Sequence, residues 1–178
     1  MNDSQSLELA IHEGVSLVAH DGAWSEAFLL EQQRLLRLAP EQFVDIQHFG
    51  STAIPGIPAK PIIDILAGVA SMEVADALIA PLLQFGYTTS AEFNATLPER
   101  RWLMRHAMGR RTHHLHIVVF GSEEWIRRLK FRDALRSNPA LASEYAALKA
   151  RLADTYADDR EAYTHAKADF VRSVVPDA

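Results

Sequence analysis

The sequence predicts an α+β fold, in which a mixed, largely antiparallel β-sheet packs against helices and the C-terminal half is helical. Three observations predict it. Short apolar runs of strand character fall at 44–49, 61–67, 87–93, 101–106 and 114–119, helical periodicity fills everything after Ser122, and strands and helices do not alternate regularly enough for a doubly wound sheet or barrel. With 178 residues, 48% hydrophobic and 23% charged, the chain suffices for a single domain, 1–178, with a sizeable core, and the disordered class is excluded.

Taken in order, the first twenty or so residues carry acids and weak periodicity, and are expected to form a loosely held segment. Regular structure begins at Trp24, where Trp24, Ala27, Phe28, Leu35 and Leu38 recur at helical spacing until Pro40 closes the helix. Val44 to Phe49 is a short strand ending at Gly50. The segment Gly50-Ser-Thr-Ala-Ile-Pro-Gly-Ile-Pro-Ala-Lys60 is too rich in Gly and Pro to be regular, and reads as a long, partly rigid loop. It delivers the chain into Pro61-Ile-Ile-Asp-Ile-Leu-Ala67, an apolar strand with Asp64 at its centre. Residues 73–85 have helical periodicity, with Pro81 expected to bend or divide the helix and Gly86 to end it. Tyr87 to Phe93, Arg101 to His106 and His114 to Val119 are expected as an antiparallel run of strands. Ser122 is an N-cap for a helix reaching about Ser137, Pro139 opens a second to about Ala153, and Asp158 to Val174 forms the last.

Charge excludes some functions and suggests another. The net charge of −5 argues against a protein that coats duplex nucleic acid. It is unevenly spread: residues 1–95 hold 12 acids and 3 bases, and residues 96–178 hold 11 acids and 15 bases. Ten of those bases fall within 100–136, which makes that block a candidate cationic wall facing Asp64. The absence of cysteine removes thiol nucleophiles, disulfides and Cys-based zinc sites, so any metal must use His, carboxylate or phosphate. No basic leader with an apolar core and no span-length apolar stretch is present, so a cytoplasmic location without membrane contact is expected.

Asp64 carries the most information. An acid among Ile62, Ile63, Ile65 and Leu66 needs a partner to offset its desolvation. That partner is either a cation such as Lys60 in a buried ion pair, or a metal ion such as Mg2+, which prefers carboxylate oxygens. Gly50 and Ser51 after a strand suit a phosphate, because glycine lets the backbone approach closely and the serine hydroxyl donates. A P-loop is excluded, since five residues rather than four separate Gly50 from Gly56 and Lys60 lies too far on.

The run His48-Phe-Gly-Ser-Thr-Ala-Ile-Pro-Gly-Ile-Pro-Ala-Lys-Pro-Ile-Ile-Asp-Ile65 strongly resembles the central motif of the GrpB family, a family of predicted nucleotidyltransferases with the polymerase-β-type fold. His113-His-Leu-His116, Trp125, Phe131-Arg-Asp133, Tyr145 with Lys149, and Ala162-Tyr-Thr-His-Ala-Lys167 resemble its later signatures, so the likeness runs from about Trp24 to the end. It implies a Mg2+-dependent transfer of a nucleoside monophosphate from an NTP to a small acceptor, with Mn2+ as an alternative ion. On that reading Asp64 and Lys60 are catalytic, and Gly50, Ser51, Thr52, Arg132, Lys149 and Lys167 bind phosphate. Glu92 joins Asp64 as a metal ligand, because the second acid usual in such sites is replaced here by Leu66.

Further candidates for the cleft are His48, His114, His116 and Tyr163. His114 and His116 share a strand face and suit metal, substrate phosphate or plain hydrogen bonding. Arg132 is preferred as an inward-facing ligand over Arg127, Arg128 and Arg136, which are expected on a solvated face. The loss of the second acid leaves a second reading open, a non-catalytic nucleotide- or metabolite-binding module on the same fold.

Overall fold

A computed structural model describes residues 1–176. Four strands form one sheet in the order β1-β2-β4-β3, where β1 is Phe43–Phe49, β2 Ile63–Val69, β3 Arg100–Ala107 and β4 Arg110–Val119. β1 runs antiparallel to β2, β4 parallel to β2 and β3 antiparallel to β4, so the sheet is mixed with one parallel ladder. The helices are α1 (Asp3–Ile11), α2 (Ala23–Leu38), α3 (Met72–Gln84), α4 (Ala91–Ala95), α5 (Glu123–Ser137), α6 (Pro139–Thr155), α7 (Arg160–Ala166) and α8 (Ala168–Val174). No described helix is long and apolar enough to cross a membrane.

Alternation along each strand sorts the side chains onto two faces. Ile63, Ile65, Ala67 and Val69 of β2, with Leu115 and Ile117 of β4, pack against Trp24, Phe28 and Leu35 of α2 and Ala75, Leu78 and Leu82 of α3. The intervening positions point the other way. There Leu66, Val118 and Phe49 pack against Trp125 of α5, and Ile54 and Ile57 of the central loop pack with Leu135 of α5 and Ala142 and Tyr145 of α6. Leu66 is fully buried in that second layer, so the place of a second acid is occupied by core. Asp64 and His114 share this face and stay partly open, with 26% and 14% of their side chains exposed.

Four expectations need correction. Tyr87 to Phe93 is not a strand: only Thr88 bridges Met104, and the Ser90 hydroxyl accepts from Phe93 N and starts the short helix α4 instead. Pro81 does not divide α3, because it lies in the last turn and the helix runs on to Gln84. The expected final helix is two, α7 and α8, with Lys167 between them. The N-terminal segment is not loose. Asn2 and Gln5 form a reciprocal capping box at the start of α1, Val18 bridges Ala59, and the Glu13 carbonyl accepts from Arg160.

The loop from Gly50 to Ile62 is fixed at several points. Thr52 Oγ1 donates to Ile62 O at 3.1 Å and meets His48 Nε2 at 3.0 Å, while His48 stacks on Phe28 at 4.9 Å on the α2 side of the sheet. Arg136 Nε donates to Ala53 O at 2.8 Å, and Lys149 Nζ to Pro58 O at 2.5 Å. Gly50 adopts φ 71° and ψ −172°, a region essentially restricted to glycine. A Cβ there would lie 2.9 Å from both Cβ and Cγ of Asp64.

Two outcomes follow. Gly50→Ala combines backbone strain with a clash against Asp64, and should lower unfolding stability in urea by about 2–4 kcal/mol; a loss below about 0.5 kcal/mol would mean that the loop relaxes freely. Burial pushes the His48 imidazole down to about 4, against the opposing pull of Asp64. Because this pKa lies below that of the unfolded chain, stability is complete above pH ~6.5 and declines toward pH 4 as the unfolded state takes up the proton first. Urea midpoints at pH 7.5, 6 and 4.5 should show a loss of at least about 2 kcal/mol by pH 4.5, with a shallower slope in His48→Gln.

Candidate functional site

The site is built where β2 and β4 run side by side. Their parallel register sets Asp64 opposite His114 and Leu66 opposite His116. His114 Nδ1 lies 3.2 Å from Asp64 Oδ1. Burial pushes the Asp64 carboxyl up, but the His114 N–H and the charges of Lys60 and Lys167 more than offset it, and the group is held below the usual carboxylate range. Burial drives His114 down, toward a neutral ring that donates to Asp64. Its Nε2 is then a buried acceptor without a protein partner, which costs on the order of 1–3 kcal/mol when left unsatisfied.

The rest of the wall is cationic. Lys60 Nζ sits 5.0 Å from the Tyr163 ring centroid, Lys167 Nζ 4.4 Å from the same ring, and Lys149 Nζ 5.1 Å from that of Tyr145. Burial is the first cause that lowers all three lysines, helped by neighbouring positive charge: Lys60 to about 7, Lys149 to about 7 and Lys167 to about 8. The charge of Asp64 opposes the shift in each. The charges of Arg111 and Arg160 act on Lys60 as well. Tyr163 and Tyr145 are buried, which raises Tyr163 to about 12 and Tyr145 further, although the Ser51 hydroxyl beside Tyr145 works the other way. One carboxylate thus faces at least three lysines, an arrangement short of negative charge.

The structure brings Asp64, Lys60, Gly50, Ser51, Lys149, Lys167, His114, His116 and Tyr163 to this region. It places four other candidates elsewhere. Glu92 lies exposed on α4, bonded to Ser90, and does not join Asp64. Thr52 and His48 are buried and committed to holding the loop, on the side of β1 that faces α2. Arg132 does point inward, but Nη1 donates to Gln47 Oε1 and His48 O, both at 2.9 Å, and Nε to Asp133, so it fastens α5 to β1.

The expected wall from residues 100–136 is also mostly spoken for. Arg101 pairs with Asp76, Arg105 with the buried Glu31, and Arg127 and Arg128 with Glu124. Arg136 bonds the loop and Arg128 lies over the Phe49 ring, so neither belongs to a purely solvated face. The cations that do act on Asp64 come from the loop and the last helices. Arg160 and Arg111 escaped the sequence reading because their position depends on how α7 and α1 dock, and periodicity carries no signal of that.

A nucleotidyltransferase of the polymerase-β type implies three carboxylates around two Mg2+ ions. Among the described residues the group able to share an ion is Asp64, His114 and His116, whose candidate ligand atoms all lie within 4.8 Å of one another. One carboxylate and the free Nε2 of His114 fit a single ion, Mg2+ on the carboxylate or Mn2+ with that imidazole, and do not fit the two-ion set; His116 meets Arg100 at Nδ1 instead.

Comparison with known proteins agrees with the motifs. The GrpB protein family profile matches residues 14–176. The chain is 37% identical over 176 residues to a "glutamate-rich protein GrpB" of Alkalihalophilus pseudofirmus, covering 94% of this chain and 98% of that one. It is 34% identical to a dephospho-CoA kinase of Mycolicibacterium paratuberculosis over 89% of this chain but only 44% of that protein. The crystal structure of the conserved protein GrpB from Enterococcus faecalis superposes with a TM-score of 0.79 at 37% identity, covering 89% of this chain and 94% of that one. The chain therefore belongs to the GrpB family.

Proposed function

We propose that the site binds a nucleoside triphosphate and transfers its nucleoside monophosphate to a small acceptor. The observation that carries the reading is the excess of cations around a single carboxylate: the buried Lys149 and the half-buried Lys60 and Lys167 gather on the aromatic rings beside Asp64, and a triphosphate would offset their charge. Ser51 and the backbone turn at Gly50 border the same space. Asp64 would hold one divalent cation, which would neutralise charge on the reacting phosphate. His114, held by Asp64, keeps a neutral nitrogen available as proton acceptor. The lysines then stabilise charge on the leaving pyrophosphate.

A specific observation favours a second reading, binding without chemistry. Leu66 fills the place of the second acid and is fully buried. The dephospho-CoA kinase relatives do not decide between the two, since more than half of each lies outside the matched part.

Calorimetry of the full chain with each of the four NTPs plus Mg2+ or Mn2+, alongside a pyrophosphate-release assay, separates the readings. Transfer predicts binding of at least one NTP and pyrophosphate release that falls at least 100-fold in Asp64→Asn. Binding that survives EDTA with no pyrophosphate released supports the binding module, and no binding of any NTP defeats both. The lysines give an independent check. The free lysines lie at about 7, about 7 and about 8, and a bound triphosphate would raise them, so at pH 8 binding should take up protons. Enthalpies measured in Tris and in phosphate-free HEPES buffer at equal pH would then differ in proportion to buffer ionisation, and equal enthalpies would count against lysine contact.

A further inference from the structure

One half-buried arginine reaches neither a carboxylate nor a backbone carbonyl. Arg100, at the start of β3, makes a single polar side-chain contact among the described residues, from Nη1 to His116 Nδ1 at 3.4 Å. Its neighbours behave differently. Arg101, Arg105, Arg127 and Arg128 each reach a carboxylate, Arg132 and Arg136 reach backbone carbonyls, and Arg110 is exposed to water. A guanidinium taken partly out of water without an acceptor is the kind of group that ligand oxyanions satisfy.

The surroundings point the same way. His116 is buried, and accepting the Arg100 N–H at Nδ1 leaves its Nε2 carrying the proton as a second donor. Its ring meets Phe49 edge-on at 5.1 Å, and Arg128 lies over Phe49 at 5.6 Å, so His116, Phe49 and Arg128 form one continuous group. Arg128 uses Nε and Nη2 on Glu124, leaving Nη1 without a partner among the described residues. Glu124 is shared with Arg127, so one carboxylate bonds two arginines, and Arg100 feels its charge without bonding to it. Burial, Arg128 and Arg127 push Arg100 down to about 10 against the opposing pull of Glu124, which leaves it charged at neutral pH.

This group adjoins the centre, because His116 falls within the same 4.8 Å cluster as Asp64 and His114, and it is built from β3, β4 and α5 rather than from the lysine-bearing loop and α6 to α8. We propose that Arg100, Arg128 and His116 form an oxyanion subsite that holds a carboxylate or phosphate group of the acceptor. The acceptor is thereby an anionic small molecule, seated on the opposite side of Asp64 from the triphosphate. The word acceptor rests on the transfer reading above; the subsite itself does not.

The test titrates the full chain with inorganic phosphate and, separately, with succinate, following heat and thermal unfolding, for the wild type, Arg100→Gln, Arg100→Lys and Lys60→Gln. Two classes of phosphate site are expected, one weakened at least ten-fold by Arg100→Gln and less by Arg100→Lys, the other weakened only by Lys60→Gln. Whether succinate shares the arginine class tells carboxylate from phosphate recognition. Arg100→Gln should keep or raise the melting temperature, since it removes a half-buried charge with no carboxylate partner. A single phosphate class insensitive to Arg100→Gln, or a clear drop in melting temperature in that variant, overturns the proposal. Absence of NTP binding with both phosphate classes intact would overturn only the transfer reading.

Discussion

An ionised carboxylate on a strand between two packed layers is the constraint around which this molecule is arranged. Asp64 alternates with Ile63 and Ile65 on β2, so it is fixed on the α5 and α6 side of the sheet and cannot turn away from the core. Left alone, its desolvation would favour the protonated form. The His114 N–H from the neighbouring parallel strand and the fields of Lys60 and Lys167 reverse that preference. In turn those lysines sit half-buried against Tyr163, and their pKa values are lowered. The result is a coupled set of one carboxylate, one imidazole and several lysines, and it is on this electrostatic condition that the proposed binding of a charged ligand rests.

The loop between β1 and β2 keeps this set in register. It reaches the site only because it is anchored on both faces of the sheet: by His48 and Thr52 against α2, and by Ile54, Ile57 and the Lys149 bond to Pro58 against α6. Gly50 must be glycine because the chain turns there directly over Asp64, where any side chain would strike the carboxylate. Its close approach to a ligand phosphate, the usual reason for glycine at such a turn, is therefore secondary to its approach to Asp64.

Much of the fold was legible because the strands and helices are strongly periodic: α2, β1, β2, α5 and α6 lie within two residues of their expected bounds. What failed were local rules overridden by capping, as at Ser90, and pairing that depends on distant register. Of the candidate site, Asp64 was legible as an acid in an apolar strand, His114 from its strand face, and Lys60, Lys149 and Lys167 from the motifs that resemble the family. His48 and Thr52 were misplaced because a single residue of strand phase separates the ligand side from the α2 side, and His48 and Phe49 fall on opposite sides of that divide. Nothing in the sequence singles Arg100 out from the rest of the basic block 100–136. Its meaning comes from the β3–β4 register, which sets Trp102 beside His116 and brings the start of β3 to the far end of the cluster.

The uneven charge along the chain takes its final sense from this geometry. The basic block 100–136 reads as the wall opposite Asp64, yet most of its arginines are consumed by acids, Asp76 and Glu31 of the acidic half and Glu124 and Asp133 of the basic half itself. Those pairs join the sheet to α2 and α3 and brace α5, and so do structural work. The charges left over are the informative ones, Lys60, Lys149 and Lys167 on one side of Asp64 and Arg100 on the other. A surplus divided in this way suits two anionic groups held on either side of one carboxylate, which is the arrangement that transfer between a triphosphate and an anionic acceptor requires.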